Sequence, residues 1–131
     1  MKTKYSLMCE AANVSSTGNL NAYGIFHNIN VRHFPIIIPR MFYVACIQFH
    51  RSETGTHLFR VNFIDDDGRP LILPLEREIM AFENKLTANF LMGLDKIQFQ
   101  KPGTYEVHLM INNQLLAVNT IRVVEAPLEQ V

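Results

Sequence analysis

Alternation of apolar and polar residues at period two is the feature that most constrains this chain. Its clearest stretch is Tyr105, Val107, Leu109 and Ile111, with Glu106 and His108 between them. Successive side chains of an extended strand point to opposite faces, so the odd positions face a core and the even ones solvent. Turn residues bracket the stretch. Lys101-Pro102-Gly103-Thr104 precedes it, with Pro presetting one φ and Gly supplying a positive one. Asn112-Asn113 follows it and suits a tight hairpin, because asparagine tolerates the left-handed backbone that such a turn requires.

The same logic repeats along the chain. Tyr5, Leu7, Cys9 and Ala11 share one face of a strand over 4–14, and a turn follows at 15–19. A second strand over 20–31 carries Tyr23, Ile25, Ile29 and Val31. Residues 41–50 are apolar on both faces, which predicts a central strand covered on both sides. Residues 51–56 read as a hairpin loop leading into a strand over 57–65, with Phe59, Val61 and Phe63 inward. Asp66-Asp67-Gly68-Arg69 is a turn, and 71–79 is a strand or a short crossover. Leu86, Ala88, Phe90, Met92 and Leu94 are in phase, but Ile97 and Phe99 are not, so a bulge or bend is expected after Gly93. Leu116 and Val118 are likewise out of phase with Ile121 and Val123, which predicts a second bulge near Asn119-Thr120. The nearest approach to a helical stripe, 76–85, amounts to one or two turns, and 126–131 reads as a frayed tail.

Many short strands at regular spacing predict an all-β fold, either a sandwich or a barrel. We expect a single domain over 1–131, a two-sheet β-sandwich of seven to eight mostly antiparallel strands, immunoglobulin-like in character. A chain of 131 residues holds one ordinary domain, and 48% hydrophobic against 18% charged residues marks it as ordered. Tyr105, just after Pro102-Gly103, has the position of the tyrosine corner of immunoglobulin-like folds. The cysteine expected two residues later is Val107, so the usual disulfide between sheets is absent.

Charge narrows the partners. The 12 basic and 12 acidic residues cancel and form no basic stripe, so nucleic acid is not an expected partner. Balanced charge also gives little repulsion between copies, which favours a homo-oligomer. Glu10 and Asn13 break the first apolar stretch, so no secretory leader is expected there. No apolar run approaches the ~20 residues that span a bilayer. A cytoplasmic protein with reduced Cys9 and Cys46 follows, a Cys9–Cys46 bridge being the alternative in an oxidising compartment.

Chemistry-bearing motifs are sparse. There is no nucleophile elbow, phosphate-binding loop, His-Glu-x-x-His or Cys-x-x-Cys, and no cofactor is expected. Asp65, Asp66 and Asp67 supply oxygen ligands of the kind calcium takes, in a turn that also suits solvent. His50 and His57 flank the 51–56 loop and would face each other across a hairpin, as in the beginning of a zinc site. His27, His33 and His108 join them only if folding brings them there. Two apolar triplets stand between prolines: Ile36, Ile37 and Ile38, and Leu71, Ile72 and Leu73. Proline cannot donate to a ladder, so both belong at edges or crossovers. They either plug the ends of the sandwich or form an exposed patch for a partner.

Several segments together carry a family likeness. They are 5–14, Gly18-Asn19-Leu20, Tyr23-Gly24-Ile25-Phe26, Phe34-Pro35, 39–45, Asp67-Gly68 and 103–107. In this order and spacing they resemble an uncharacterised family of short bacterial and phage-borne proteins. The resemblance implies a small β-rich domain and transfers no catalytic residue. The expected function is therefore a non-enzymatic binding or assembly module acting through strand edges and loops, with a protein partner or a second copy. The alternatives are a calcium- or small-ligand-binding sandwich using the 65–67 turn, and a small enzyme with a histidine site assembled in space.

Overall fold

The computed structural model describes residues 1–126, so the expected tail lies outside the described residues except for Ala126. The chain is all-β. Among the described residues nine strands, not the seven to eight expected, form two sheets: β1 (Lys2–Val14), β2 (Leu20–Phe26), β3 (Asn28–Val31), β4 (Ile36–Gln48), β5 (Gly55–Ile64), β6 (Leu75–Ala81), β7 (Thr87–Phe99), β8 (Gly103–Ile111) and β9 (Gln114–Glu125). One sheet has the order β2-β1-β4-β7, the other β3-β9-β8-β5-β6. Every pairing is antiparallel except β3 with β9.

The alternation reads correctly onto the core. Met41, Tyr43, Ala45 and Ile47 of β4 and Phe90, Met92 and Leu94 of β7 face Phe59, Val61 and Phe63 of β5. Tyr105, Val107, Leu109 and Ile111 of β8, with Ile121 and Val123 of β9, complete one buried cluster. Asn112 and Asn113 both take positive φ, as a two-residue hairpin requires. Gly103 does not: the turn closes without a left-handed residue there, and Gly103 opens β8.

Three expectations of connection are corrected. The predicted strand over 20–31 is two strands, β2 and β3, which break at His27 and lie in different sheets. The 51–56 segment is no hairpin loop. It holds a short 3-10 turn, Arg51–Glu53, and carries the chain from β4 in one sheet to β5 in the other. Period-two patterning identifies strands but not which neighbours pair. The 76–85 window is strand β6 followed by a tight turn bridged between Phe82 and Lys85, not a helix.

Both predicted irregularities exist, each displaced. The one near Gly93 falls at Asp95-Lys96, where Lys96 has φ 52°. β4 slips at the same level: Ile36 and Ile38 face the core, then Met41 and Tyr43. Each strand thus gains one residue, and the register survives, with Ile38 opposite Ile97 and Arg40 opposite Asp95. The bulge expected near Asn119 is at Leu116, since Leu109 opposes Ala117 and Met110 opposes Leu115. Asn119 takes an inward position, and Val118, expected inward, is 45% exposed. A polar residue used inside the fold made the phase change look later than it is.

Asn119 is inward because it ties the sheets together. Its Nδ2 donates to the Ser6 carbonyl at 2.9 Å, and its Oδ1 accepts from the Ser6 hydroxyl. The Ser6 hydroxyl also lies 2.8 Å from the Tyr43 hydroxyl. At the opposite side Arg77 of β6 donates to the Leu91 carbonyl of β7 at 2.9 Å and lies over the Phe90 ring. The seams therefore use polar groups that alternation alone reads as solvent-facing.

Tyr43 is fully buried, and burial pushes its hydroxyl up to about 12, against a smaller lowering by the Ser6 hydrogen bond. In the unfolded chain it ionises near 10. A pKa raised on folding means that stability is complete below the unfolded value and is lost as pH rises through the folded one. We expect the unfolding free energy measured in urea to fall between pH 10 and 12, by roughly 2–3 kcal/mol at the upper end. Tyr43→Phe should remove most of that loss.

Candidate functional site

The four-stranded sheet is creased, and the crease opens a cleft. β1 pairs with β4 only as far as Cys9 opposite Phe42. Beyond that point Gly24, with φ 66°, lets β2 turn against Glu10, whose side chain fills the space where a Cβ would stand. On the far side, β4 and β7 make their paired slip at Arg40 and Asp95. Among the described residues, the 36–40 stretch of β4 therefore has a ladder partner on the β7 side only. Phe26, Ile29, Ile38 and Met41 line the resulting cleft of about 260 Å³, with Glu10, Asn28, Asn30 and Arg40 as its polar groups. This volume lies below the ~300–1,000 Å³ of small-molecule sites and suits one inserted side chain. Arg40 Nε donates to Asp95 Oδ1 at 2.6 Å, and that bond holds the Asp95 carboxyl below its usual range. Glu10 has no ion-pair partner among the described residues.

Past the crease the sheet curls over its own outer face. Cys9, Val44 and Cys46 point away from the core between the sheets, yet all three are buried. Val14 and Gly18 of the β1–β2 hairpin share a cleft with Ile79, Met80, Phe82 and the start of β7. Cys9 stands opposite Phe42, whereas Cys46 stands opposite Tyr5. That offset along β4 separates the two Cα atoms by roughly 13 Å at the rise of a strand, too far for a disulfide. Both cysteines are free. Burial pushes the Cys9 thiol up, opposite to the shift of a reactive thiolate.

The residues singled out by sequence are not gathered into one site. Asp65, Asp66 and Asp67 offer carboxylate oxygens within 4.8 Å of one another, and they are the one cluster of that kind among the described residues. Local bonds account for much of the arrangement. Asp65 Oδ1 accepts from the backbone N–H groups of Asp67 and Arg69, both at 2.9 Å, which builds the turn. Lys101 Nζ lies 3.9 Å from Asp66 and 3.8 Å from Asp67. His50 and His57 do not face each other across a ladder, because His50 lies past the end of β4, at the start of the 3-10 turn, and His57 is on β5 of the other sheet. His57 is buried, stacked on Phe49, with Nε2 2.6 Å from the Glu53 carbonyl and Nδ1 2.8 Å from the Asn112 amide. Both of its ring nitrogens are engaged. His108 pairs with Glu106 on the outer face at 2.8 Å.

The two Pro-bounded triplets meet different fates. Ile36 and Ile38 pack on the core while Ile37 is 57% exposed. Leu71 and Ile72 also pack on it while Leu73 is 85% exposed. Four of the six residues therefore plug one end of the core, and two remain at the surface. The first triplet is no crossover: it opens β4, an interior strand, at a stretch that is a local edge, paired with β7 and with no second ladder partner among the described residues. The sequence did not single out Glu10, Gly24 or Arg40 as site residues. The one available signal was Gly24, a glycine inside an otherwise strand-like run.

No helix among the described residues is long and apolar enough to cross a membrane. No curated protein matches the chain. Among solved structures, the chain is similar to the alkylpurine DNA glycosylase AlkC of Pseudomonas fluorescens, bound to DNA containing an abasic site analogue. The identity is 9% and the TM-score 0.46, over 90% of this chain and 30% of that one. A likeness of that strength carries no functional argument. The family comparison reaches further, matching residues 4–124. The chain belongs to DUF6941, a family of unknown function.

Proposed function

We propose that this protein is a non-enzymatic binding or assembly module on an immunoglobulin-like sandwich, acting through strand edges and the crease cleft. One observation carries the reading. Exposed apolar side chains stand on two of the edge strands and on the connections beside β6, as well as on interior strands, whereas the titratable groups are dispersed. Tyr23 and Ile25 on β2, Met80 on β6, Phe82 just after it and Leu73 in the preceding connection are all at least 47% exposed. Edge strands with unpaired ladders recruit further strands. The immunoglobulin-like scaffold is supported by Tyr105, whose hydroxyl donates to the Lys101 carbonyl at 2.6 Å, the bond of a tyrosine corner. The cytoplasmic setting and the bacterial or phage context belong to the same proposal.

Light scattering on fractionated protein tests this reading across concentration. The reading expects mass above that of one chain, or capture of an extended peptide. A strict monomer that binds no peptide contradicts it.

A second reading, calcium at Asp65, Asp66 and Asp67, has the closeness of the carboxylates in its favour. Their engagement with the turn and with Lys101 favours the first reading, which expects no change in melting temperature with millimolar calcium. A rise that Asp66→Asn with Asp67→Asn abolishes would establish the second, because a ligand of the native state alone raises the melting temperature.

A further inference from the structure

Among the described residues the two sheets leave four edge strands, β2 and β7 in one and β3 and β6 in the other. Natural sheets guard such edges with charge, proline, bulges, short strands or a covering group. Three of the four edges here are guarded. β6 carries Glu76, Arg77 and Glu78. β7 carries Asp95 and Lys96 at its slip, and its Leu91 carbonyl is already taken by Arg77. β3 is four residues long and runs directly into Arg32 and His33.

β2 is different. Its sequence, Leu-Asn-Ala-Tyr-Gly-Ile-Phe, has no charge and no proline over seven residues. Tyr23 and Ile25 project from it, 57% and 53% exposed. Gly24 bends the strand near one end and leaves 20–23 regular. We infer that β2 is a dimerisation edge, which pairs antiparallel with β2 of a second copy of this chain.

A second copy fits better than a foreign strand for two reasons. β2 itself carries no charged residue, and the Glu10 carboxylate of β1 packs at Gly24, outside the regular 20–23 stretch, so that stretch meets its own image without repulsion; the whole chain carries no net charge to oppose self-association. The other edges of a second copy are guarded, so β2 with β2 is the combination of long edges that places no charge on either side. Identical strands in antiparallel pairing form a two-fold, isologous contact that closes after two copies and does not propagate. The contact joins two four-stranded sheets into one of eight. A seven-residue edge is small for an interface, so a weak dimer is expected, populated at micromolar concentration and above.

This inference rests on the reading of the protein as an assembly module, and the test separates the two. Sedimentation equilibrium is measured on the full chain, on Tyr23→Lys with Ile25→Lys, and on Leu73→Lys. Circular dichroism checks that each variant folds, and Tyr23→Lys alone replaces the double variant if that one does not. The expected result is a concentration-dependent dimer of the natural chain, weakened at least tenfold by lysine on β2 and unchanged by lysine at 73. A dimer indifferent to the β2 substitutions, or weakened only at 73, overturns the β2 assignment while assembly stands. A monomer at every concentration overturns the dimer and leaves the module reading to a foreign partner.

Discussion

Replacing Phe59 with alanine should destabilise the protein by about 3–5 kcal/mol, the usual cost of deleting a buried aromatic side chain. Phe59 is fully buried. It lies 5.1 Å from the Phe90 ring of the opposite sheet and 6.4 Å from Phe49. These contacts span the core from β5 to β7 and to the end of β4. The strands that hold them are fixed by long ladders, so the cavity cannot collapse readily, and the loss belongs at the upper part of that range. Urea unfolding followed by circular dichroism measures it. A loss below about 1 kcal/mol, the scale of a surface substitution, would mean that the two sheets do not share this core.

The second large effect lies one residue from where period-two reading places the core. Asn119→Ala should cost about 2–3 kcal/mol, from lost hydrogen bonds and from Ser6 groups left partly buried without partners. Its neighbour Val118 is exposed, and Val118→Ala should stay within about 0.5 kcal/mol. Apolar phase alone predicts the reverse order, since it counts Val118 as core and Asn119 as the site of a bulge. The urea midpoints of the two variants therefore decide between a bulge at Leu116 and one at Asn119. The pair also tests the seam, because Asn119 connects β9 of one sheet to Ser6 of β1 in the other.

That contrast shows how far the sequence was legible. Alternation placed the inward faces of β5, β7 and β8 correctly, because their apolar side chains do nothing but pack, and the apolar run over 41–50 marked β4 as an interior strand. It also found the Asn112-Asn113 hairpin and the position of Tyr105, where local backbone chemistry dictates the structure. It failed where a residue serves two levels at once. Asn119 is polar yet inward, and Arg77 is charged yet anchors an edge. His57 looked like half of a metal pair but has one ring nitrogen at the Glu53 carbonyl of the preceding turn and the other at Asn112 of the β8–β9 hairpin. Pairing was the larger gap. Nothing local in 51–56 shows that the chain changes sheets there, and nothing local at His27 shows that β2 and β3 part company. Strand neighbours depend on long-range packing, which a single period does not encode.

The candidate surfaces were legible in outline only. Two apolar triplets drew attention because proline frames them, yet most of their residues turned out to seal the core. The crease was hidden because its makers are scattered in sequence, Gly24 on one strand and the paired slips at Arg40 and Lys96 on two others. The unguarded edge is visible only by comparison. β2 is unremarkable as a seven-residue string and becomes distinctive once β3, β6 and β7 are known to be the other three edges.

Hydrogen exchange of the β2 backbone at two protein concentrations tests most directly whether the protein acts through this edge. Amides over 20–23 that point away from β1 have no partner among the described residues of one chain and gain one when two copies pair. Their exchange should slow as concentration rises, while the amides of β8 in the middle of the other sheet keep the same protection. Equal exchange of β2 at low and high concentration, in a sample shown by mass to contain dimers, would contradict the account and place the contact elsewhere.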